Sequence, residues 1–241
     1  MSRCNIFVLT GAGISAESGI RTYRKDAGLW EEHSLEDVAT PAGFARDPLK
    51  VQAFYDARHA EIAAASPSAA HQALAALEQD GTYGVTIVTQ NIDDLHERSG
   101  STGVLHIHGR VTRAICAGCG EPLDCAGRLV GAAPCPECGG RARPDITWFG
   151  ETPQRLEEIE EAFLGADVFL AIGTAGEVWP AAGYARRARN RKLRCVEFNI
   201  RCTEISHYFR EERRRPASTS VPLFVRDLLE FGDPETMKRR R

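Results

Sequence analysis

The chain has 241 residues, 43% hydrophobic and 26% charged, with a formal net charge of -3. That makeup suits one soluble globular unit that buries a sizeable core, and it gives no global attraction to nucleic acid or an anionic membrane. No apolar run approaches the ~20 residues of a membrane span, and the first strand-like segment starts almost at Met1, leaving no room for a signal peptide, so a cytoplasmic protein is expected. The basic clusters Arg213-Arg214-Arg215 and Lys238 to Arg241 read as solvated surface. Of 8 cysteines, four fall in two C-x-x-C pairs, which favours metal in a reducing compartment over a disulfide framework.

Cys4 to Leu9 is short, apolar and suited to a buried strand, and Gly11, Gly13 and Ala16 follow it in the spacing G-x-G-x-x-A. This is a dinucleotide fingerprint. Gly11 permits a tight turn, Gly13 lets backbone N–H groups approach a pyrophosphate, and Ala16 lets the following helix pack on the strand, its N-terminus facing the anion. The same pattern also serves an ordinary strand-to-helix turn. A Rossmann unit returns to a second strand ending in an acidic residue, whereas Arg24 to His33 is charged and glycine-containing, and reads as a loop folding over a ligand.

Asp47-Pro48 predicts an N-cap with proline at the first helical position, opening a helix over Pro48 to Ala64. Val51, Phe54, Tyr55, Arg58 and Ile62 share one face of it. An arginine there either snorkels to the rim along its stem or, with the tyrosine, holds a carboxylate in a pocket. Ser66-Pro67 breaks the chain, and Ala70, Leu74 and Leu77 mark a second helix ending near Gly81. Val85 to Thr89 is a buried strand running into Gln90, Asn91, Asp93 and Asp94, where a parallel sheet places its ligands. Helix capping accounts for Asn91 or Asp93 alone, and less easily for Gln90, Asn91 and Asp93 together. Val104 to Gly109 alternates, so His106 and His108 are expected on one side, each a structural group or a general base.

Cys116, Cys119, Cys135 and Cys138 form C-x2-C-x15-C-x2-C with glycines at 118, 120, 139 and 140. Four thiolates close a tetrahedral sphere, which assigns one zinc ion to folding and leaves Cys125 spare. Arg143 to Glu151 returns as an extended, aromatic-rich segment. A helix over Leu156 to Leu164, a strand over Ala166 to Ile172, a small-residue turn from Gly173, a helix over Pro180 to Arg189, a strand over Arg194 to Phe198 and a helix over Val221 to Phe231 complete the chain. Alternating strands and helices mean an α/β, doubly wound parallel sheet.

Together, GAGISAESGIRTYR, TQNIDDLH, His108-Gly109, the two C-x-x-C pairs, Phe149 to Glu151 and GTAGEVWPA resemble the sirtuin family of NAD-dependent protein deacylases over nearly the whole chain. The resemblance implies a Rossmann-like large lobe (about 1–24, 66–108 and 146–241) and a small lobe made of a helical excursion (about 25–65) and a zinc ribbon (about 109–145). It implies that NAD, consumed as co-substrate, is held by Gly11, Ala12, Gly13, Glu17, Tyr23, Arg24, Gly173, Thr174, Asn199 and Ala217. Gln90, Asn91 and Asp93 hold the ribose and the nicotinamide amide. His108 is the general base, with Asn91 and Asp93 also counted as catalytic. The acyl-lysine carbonyl oxygen attacks the nicotinamide ribose, nicotinamide leaves, and the histidine activates a ribose hydroxyl to capture the acyl carbon, giving O-acyl-ADP-ribose.

The substrate peptide is expected as an added strand between Phe149-Gly150-Glu151 and Gly176-Glu177-Val178. Sirtuins that remove succinyl, malonyl and glutaryl groups carry Tyr-x-x-Arg on the corresponding helix, which turns Tyr55 and Arg58 into carboxylate ligands beside the small Ala39; acetyl-lysine activity is expected alongside. Three residues depart from the family pattern: Tyr23 for Phe, Ala175 for Ser, and Thr147 for Val at a position that offers its backbone carbonyl to substrate. None removes a catalytic group. A monomer acting on acyl-lysine proteins, without specific nucleic acid or membrane partners, is expected. The rival readings are a mono-ADP-ribosyltransferase, a noncatalytic zinc-ribbon binding module and an NAD-dependent oxidoreductase.

Overall fold

A computed structural model describes residues 3–22 and 34–232. Tyr23, Arg24, the expected loop to His33 and the Lys238 to Arg241 cluster lie outside the described residues.

In chain order the elements are β1 (Cys4–Thr10), two 3-10 turns (Ala12–Ile14 and Ala16–Ser18), α1 (Leu35–Val38), α2 (Pro41–Arg46), α3 (Pro48–Ala64), α4 (Ala69–Asp80), β2 (Tyr83–Thr89), α5 (Leu95–Arg98), β3 (Val104–His106), β4 (Gly109–Cys116), β5 (Pro122–Leu123), β6 (Ala142–Ile146), α6 (Leu156–Leu164), β7 (Val168–Ile172), α7 (Ala181–Asn190), β8 (Arg194–Phe198), a 3-10 turn (Ser206–Tyr208), β9 (Glu211–Arg213) and α8 (Ala217–Phe231). Among the described residues the strands form two sheets. One is six-stranded and parallel in the order β3-β2-β1-β7-β8-β9, and the other is three-stranded and antiparallel, β5-β4-β6.

The two-residue period of β1 builds both faces of the large sheet. Ile6 and Val8 enter a cluster with Leu74 and Leu77 of α4 and Val221, Phe224 and Leu228 of α8. Phe7 and Leu9 enter the opposite cluster, with Ile159 and Phe163 of α6 and Tyr184 and Ala188 of α7. A third cluster joins α3 to the small sheet through Val51, Phe54, Tyr55 and Ile62 against Val111, Ala114, Ile146 and Trp148.

The α3 helix begins as its sequence dictates: the Asp47 carboxylate accepts from the Lys50 N–H at 3.0 Å, with Pro48 at the first turn. Its far end is satisfied from outside, where the Arg98 guanidinium donates to the carbonyls of Ile62 (3.1 Å) and Ala65 (2.5 Å). Asp56 accepts from the N–H groups of Leu129 (2.6 Å) and Val130 (3.0 Å), and Gln52 donates to the Ala142 carbonyl (2.7 Å), fastening the helix to the cysteine-bearing segment.

Several expectations need correction. No regular helix follows the G-x-G-x-x-A turn; two 3-10 turns do, Ala16 is exposed, and Ile14 is the residue that packs into the core. The glycines serve a backbone crossing. The Gly11 N–H donates to Ile172 (3.0 Å) and the Gly13 N–H to Gly173 (2.8 Å), so neither points at a phosphate. A Cβ on Gly13 would lie 2.7 Å from the Gly173 Cα, and Gly173 itself has φ 62°.

The strand carrying His106 stops there. Gly109 (φ 76°) turns the chain into β4, so His108 sits in a turn and the alternation does not extend to it. The closing helix starts at Ala217, one turn earlier than expected, and accommodates Pro222 inside it. Strand β9 was not expected, and it removes part of one basic cluster from the solvent: Arg214 pairs with the buried Glu197 at 2.6 Å and with Glu212.

Beneath the carboxyl ends of β1 and β2 lie two buried imidazoles, His71 and His96, with ring centroids 4.8 Å apart. The Ser68 N–H donates to His71 Nδ1 at 3.1 Å, and burial pushes His71 down to about 4. Burial, with the neighbouring His71 and His106, also holds His96 well below the usual histidine range.

Two consequences are measurable. Gly13→Ala should lower unfolding stability by about 1–3 kcal/mol in urea because backbone lies on both sides of the clash. Gly19→Ala, which meets nothing within 4 Å, should lose only the left-handed backbone preference, about 1 kcal/mol. Because His71 binds its proton less readily folded than unfolded, stability should fall as pH drops from the unfolded value of ~6.5 toward about 4, and His71→Gln should flatten that limb.

Candidate functional site

The carboxyl ends of β1, β2, β7 and β8 converge, and their turns supply a closed hydrogen-bond network. The Gln90 side chain donates to Thr174 Oγ1 (2.8 Å) and to the Thr10 carbonyl (3.3 Å), tying the end of β2 to those of β7 and β1. Asn199, after β8, donates to the Thr174 carbonyl at 2.9 Å. Asn91 donates to the Gly11 carbonyl (3.2 Å) and to Ser15 Oγ (3.1 Å), and Ser15 in turn donates to the Asp93 carboxylate (2.9 Å). Asp93 also accepts from the Leu95 N–H at 3.2 Å, so the capping reading explains one of its oxygens and Ser15 the other. Asn91 and Asp93 are each 4% exposed; burial raises the Asp93 carboxyl above its usual range, and the Ser15 hydrogen bond opposes that rise.

The His108 Nδ1 lies 2.9 Å from the Gln90 carbonyl. A carbonyl only accepts, so Nδ1 carries the proton and Nε2 is left as the basic nitrogen of the neutral ring. Burial lowers the His108 pKa, with the Gln90 carbonyl pulling the other way. The backbone around it is pinned as well. The Thr147 N–H donates to the His108 carbonyl (3.0 Å), the Gln154 N–H to the Ile107 carbonyl (2.9 Å), and a Cβ on Gly109 would lie 2.1 Å from the Asp145 carbonyl oxygen. His106 plays a different part: Nε2 meets Glu97 at 2.8 Å and Nδ1 meets the Asn91 carbonyl at 3.2 Å.

Arg58 is 2% exposed, so it does not snorkel. It lines a small cavity with Ala12, Ser15, Ile20, Asn91 and Asp93, which brings the α3 helix and the strand-end turns to one space. Tyr55 is 4% exposed and its hydroxyl accepts from the Trp148 indole N–H at 3.0 Å. The Phe149 N–H donates to the Ala39 carbonyl at 3.0 Å, joining the helical excursion to the segment after β6. Phe149 and Val178 are 48% and 38% exposed, and Gly150 and Gly176 take left-handed backbone at φ 92° and 74°. The side chain of Glu151 is committed to the Arg143 guanidinium (2.6 and 2.9 Å) and to the Trp148 N–H (2.8 Å). Glu17 accepts from the Ser218 N–H at 2.9 Å, holding the first turn of α8 beside the dinucleotide turn, next to Ala217.

The Sγ atoms of Cys116, Cys119, Cys135 and Cys138 all lie within 4.8 Å of one another, a donor set able to hold one metal ion. Gly120 and Gly139 turn the two knuckles at φ 78° and 73°. Cys125 packs outside this set, against the third cluster. Among the described residues no helix is long and apolar enough to cross a membrane.

Sequence reasoning missed Ser15 and Trp148 as site members. Ser15 stands inside the glycine motif, whose spacing is defined by its small residues alone, and the signal for Trp148 is its place two residues before Gly150 in the aromatic segment.

Residues 11–180 match the model of the Sir2 family. Relatives named NAD-dependent protein deacylase include one from Bdellovibrio bacteriovorus, 51% identical over 230 residues that span 94% of this chain and 97% of that one. Another, from Escherichia coli K12, is 48% identical over 95% of this chain and 84% of the relative. A Sir2 homologue solved with ADP ribose superposes with a TM-score of 0.89 at 34% identity, covering 95% of this chain and 93% of the other. A Sir2 homologue complexed with NAD gives 0.85 at 33% identity, over 96% and 92%. The chain belongs to the Sir2 family.

Proposed function

We propose that the protein removes acyl groups from protein lysines in an NAD-dependent reaction that releases nicotinamide and O-acyl-ADP-ribose, and that it accepts succinyl and malonyl as well as acetyl groups. The observation that carries this reading is the bond from His108 Nδ1 to the Gln90 carbonyl, because it leaves a neutral imidazole with Nε2 ready to accept a proton. The relatives' name and the ADP-ribose and NAD complexes of similar chains support the cofactor and the reaction class.

In this reading the turns holding Gly11, Ala12, Gly13, Glu17, Gly173, Thr174 and Asn199, with Ala217 at the start of α8, accommodate NAD, and Tyr23 and Arg24 complete that set. Gln90, Asn91 and Asp93 hold the ribose and the nicotinamide amide in a network kept rigid by Ser15. His108 takes the proton of a ribose hydroxyl, which then captures the acyl carbon. The peptide adds as a strand between Phe149-Gly150-Glu151 and Gly176-Glu177-Val178, with Thr147 offering its carbonyl, and the exposed Phe149 and Val178 flank it. Tyr55 and Arg58, beside Ala39, receive the carboxylate of an acidic acyl chain through charge-assisted bonds. A large lobe (about 1–24, 66–108 and 146–241) and a small lobe (about 25–65 and 109–145) divide the work, consistent with two sheets and a separate α3 cluster. The four cysteines hold one structural zinc ion that shapes the small lobe.

Nicotinamide release with peptides carrying acetyl-lysine or succinyl-lysine tests the reading. His108→Ala should lower both rates by about 100-fold or more, whereas Arg58→Met should lower succinyl kcat/KM by about 10- to 100-fold and spare the acetyl reaction. No release from either peptide would refute deacylation. Since burial keeps His108 below the usual ~6.5, kcat/KM should hold as pH falls to that value and drop only beneath it, as the base becomes protonated. A strong chelator should release one zinc per chain and melt the small sheet, read by circular dichroism and a thiol assay.

A further inference from the structure

Glu61 is a charged residue of α3 to which the acidic-acyl pocket gives no role. Glu61 stands one turn beyond Arg58, and its carboxylate forms an ion pair with Arg58 Nη1. The same carboxylate accepts from the Arg21 N–H at 3.0 Å and lies 3.7 Å from the Arg21 guanidinium. Arg58 Nη2 faces the Arg21 carbonyl at a long 3.5 Å. The side chains of Arg58, Glu61 and Arg21 are 2%, 24% and 46% exposed, so the charge withdrawn furthest from water is the one Glu61 neutralises.

We infer that Glu61 is an internal counter-carboxylate that occupies Arg58 and thereby limits how strongly the pocket prefers an acidic acyl chain over a neutral one; this rests on the pocket proposed above. Arg21 and Arg58 both line the cavity shared with Ala12, Asn91 and Asp93, whereas Glu61 pairs with Arg58 from outside the cavity lining. A carboxylate approaching through the cavity meets an Arg58 whose Nη1 is already engaged, so two-point binding at the Nη1 and Nη2 edge requires Glu61 to give way. The negative charge of Glu61 therefore opposes the succinyl carboxylate and leaves the acetyl group, which carries no charge, without a matching penalty.

The test uses the full chain with matched succinyl-lysine and acetyl-lysine peptides at saturating NAD, measuring kcat and KM for Glu61→Gln, Glu61→Met and Arg58→Met. Gln retains an oxygen for the Arg21 N–H; Met keeps the length without charge and repeats the reading if the Gln variant folds poorly. The succinyl KM should fall about five-fold in both Glu61 variants, with the succinyl-to-acetyl ratio of kcat/KM rising by the same factor. A ratio that stays or falls would overturn the inference and make Glu61 a group that merely positions Arg58. If Arg58→Met abolishes the succinyl preference while the Glu61 variants leave it where it was, the inference alone fails. If Arg58→Met retains that preference, the acidic pocket itself fails and the inference falls with it.

Discussion

The site depends on one backbone crossing. The turn after β1 and the turn after β7 touch at Gly13 and Gly173, close enough that the N–H of one donates to the carbonyl of the other at 2.8 Å. No side chain fits between them. This contact sets the distance between two strand ends, and Gln90 and Asn91 then bond to both sides of it, to Thr174 and to Gly11. Moving either turn would shift the amide and carboxylate groups that follow β2. The glycines are thus explained by packing of backbone on backbone, and any ligand at this end of the sheet inherits its geometry from that packing.

Around the crossing, burial does the electrostatic tuning. Asp93 and Asn91 are withdrawn from water and satisfied by Ser15 and by backbone, an arrangement that is rigid because each member holds another. The same desolvation raises the Asp93 carboxyl and lowers His108 and His71, so burial disfavours the charged form of each. The exceptions are guanidinium groups. Arg58 remains charged out of solvent, and it does so beside a carboxylate from its own helix.

Much of this was legible in the sequence where spacing and chemistry agree. The α3 helix runs over the predicted residues because Asp47-Pro48 is both a cap and a first-turn proline, and its buried face carries Tyr55 and Arg58 as the periodicity requires. The cysteine pairs meet because two glycine-turned knuckles allow little else. Legibility failed where tertiary contact overrides a local pattern. A glycine motif that predicts a helix N-terminus gives 3-10 turns here, since its N–H groups are taken by β7 and the turn after it. Strand β9 is three residues long and charged, so neither alternation nor apolar content marks it; pairing with β8 makes it a strand. The link between Tyr55 and Trp148 spans 93 positions, beyond the reach of any periodicity.

Deacylation and ADP-ribosyl transfer begin alike, with nicotinamide leaving, and part in what the ribose next captures. The most direct measurement is therefore the mass of every product of a single turnover with NAD and a succinyl-lysine peptide. The account predicts one free lysine and one O-succinyl-ADP-ribose for each nicotinamide released; an ADP-ribosylated peptide or enzyme that keeps its succinyl group would contradict it.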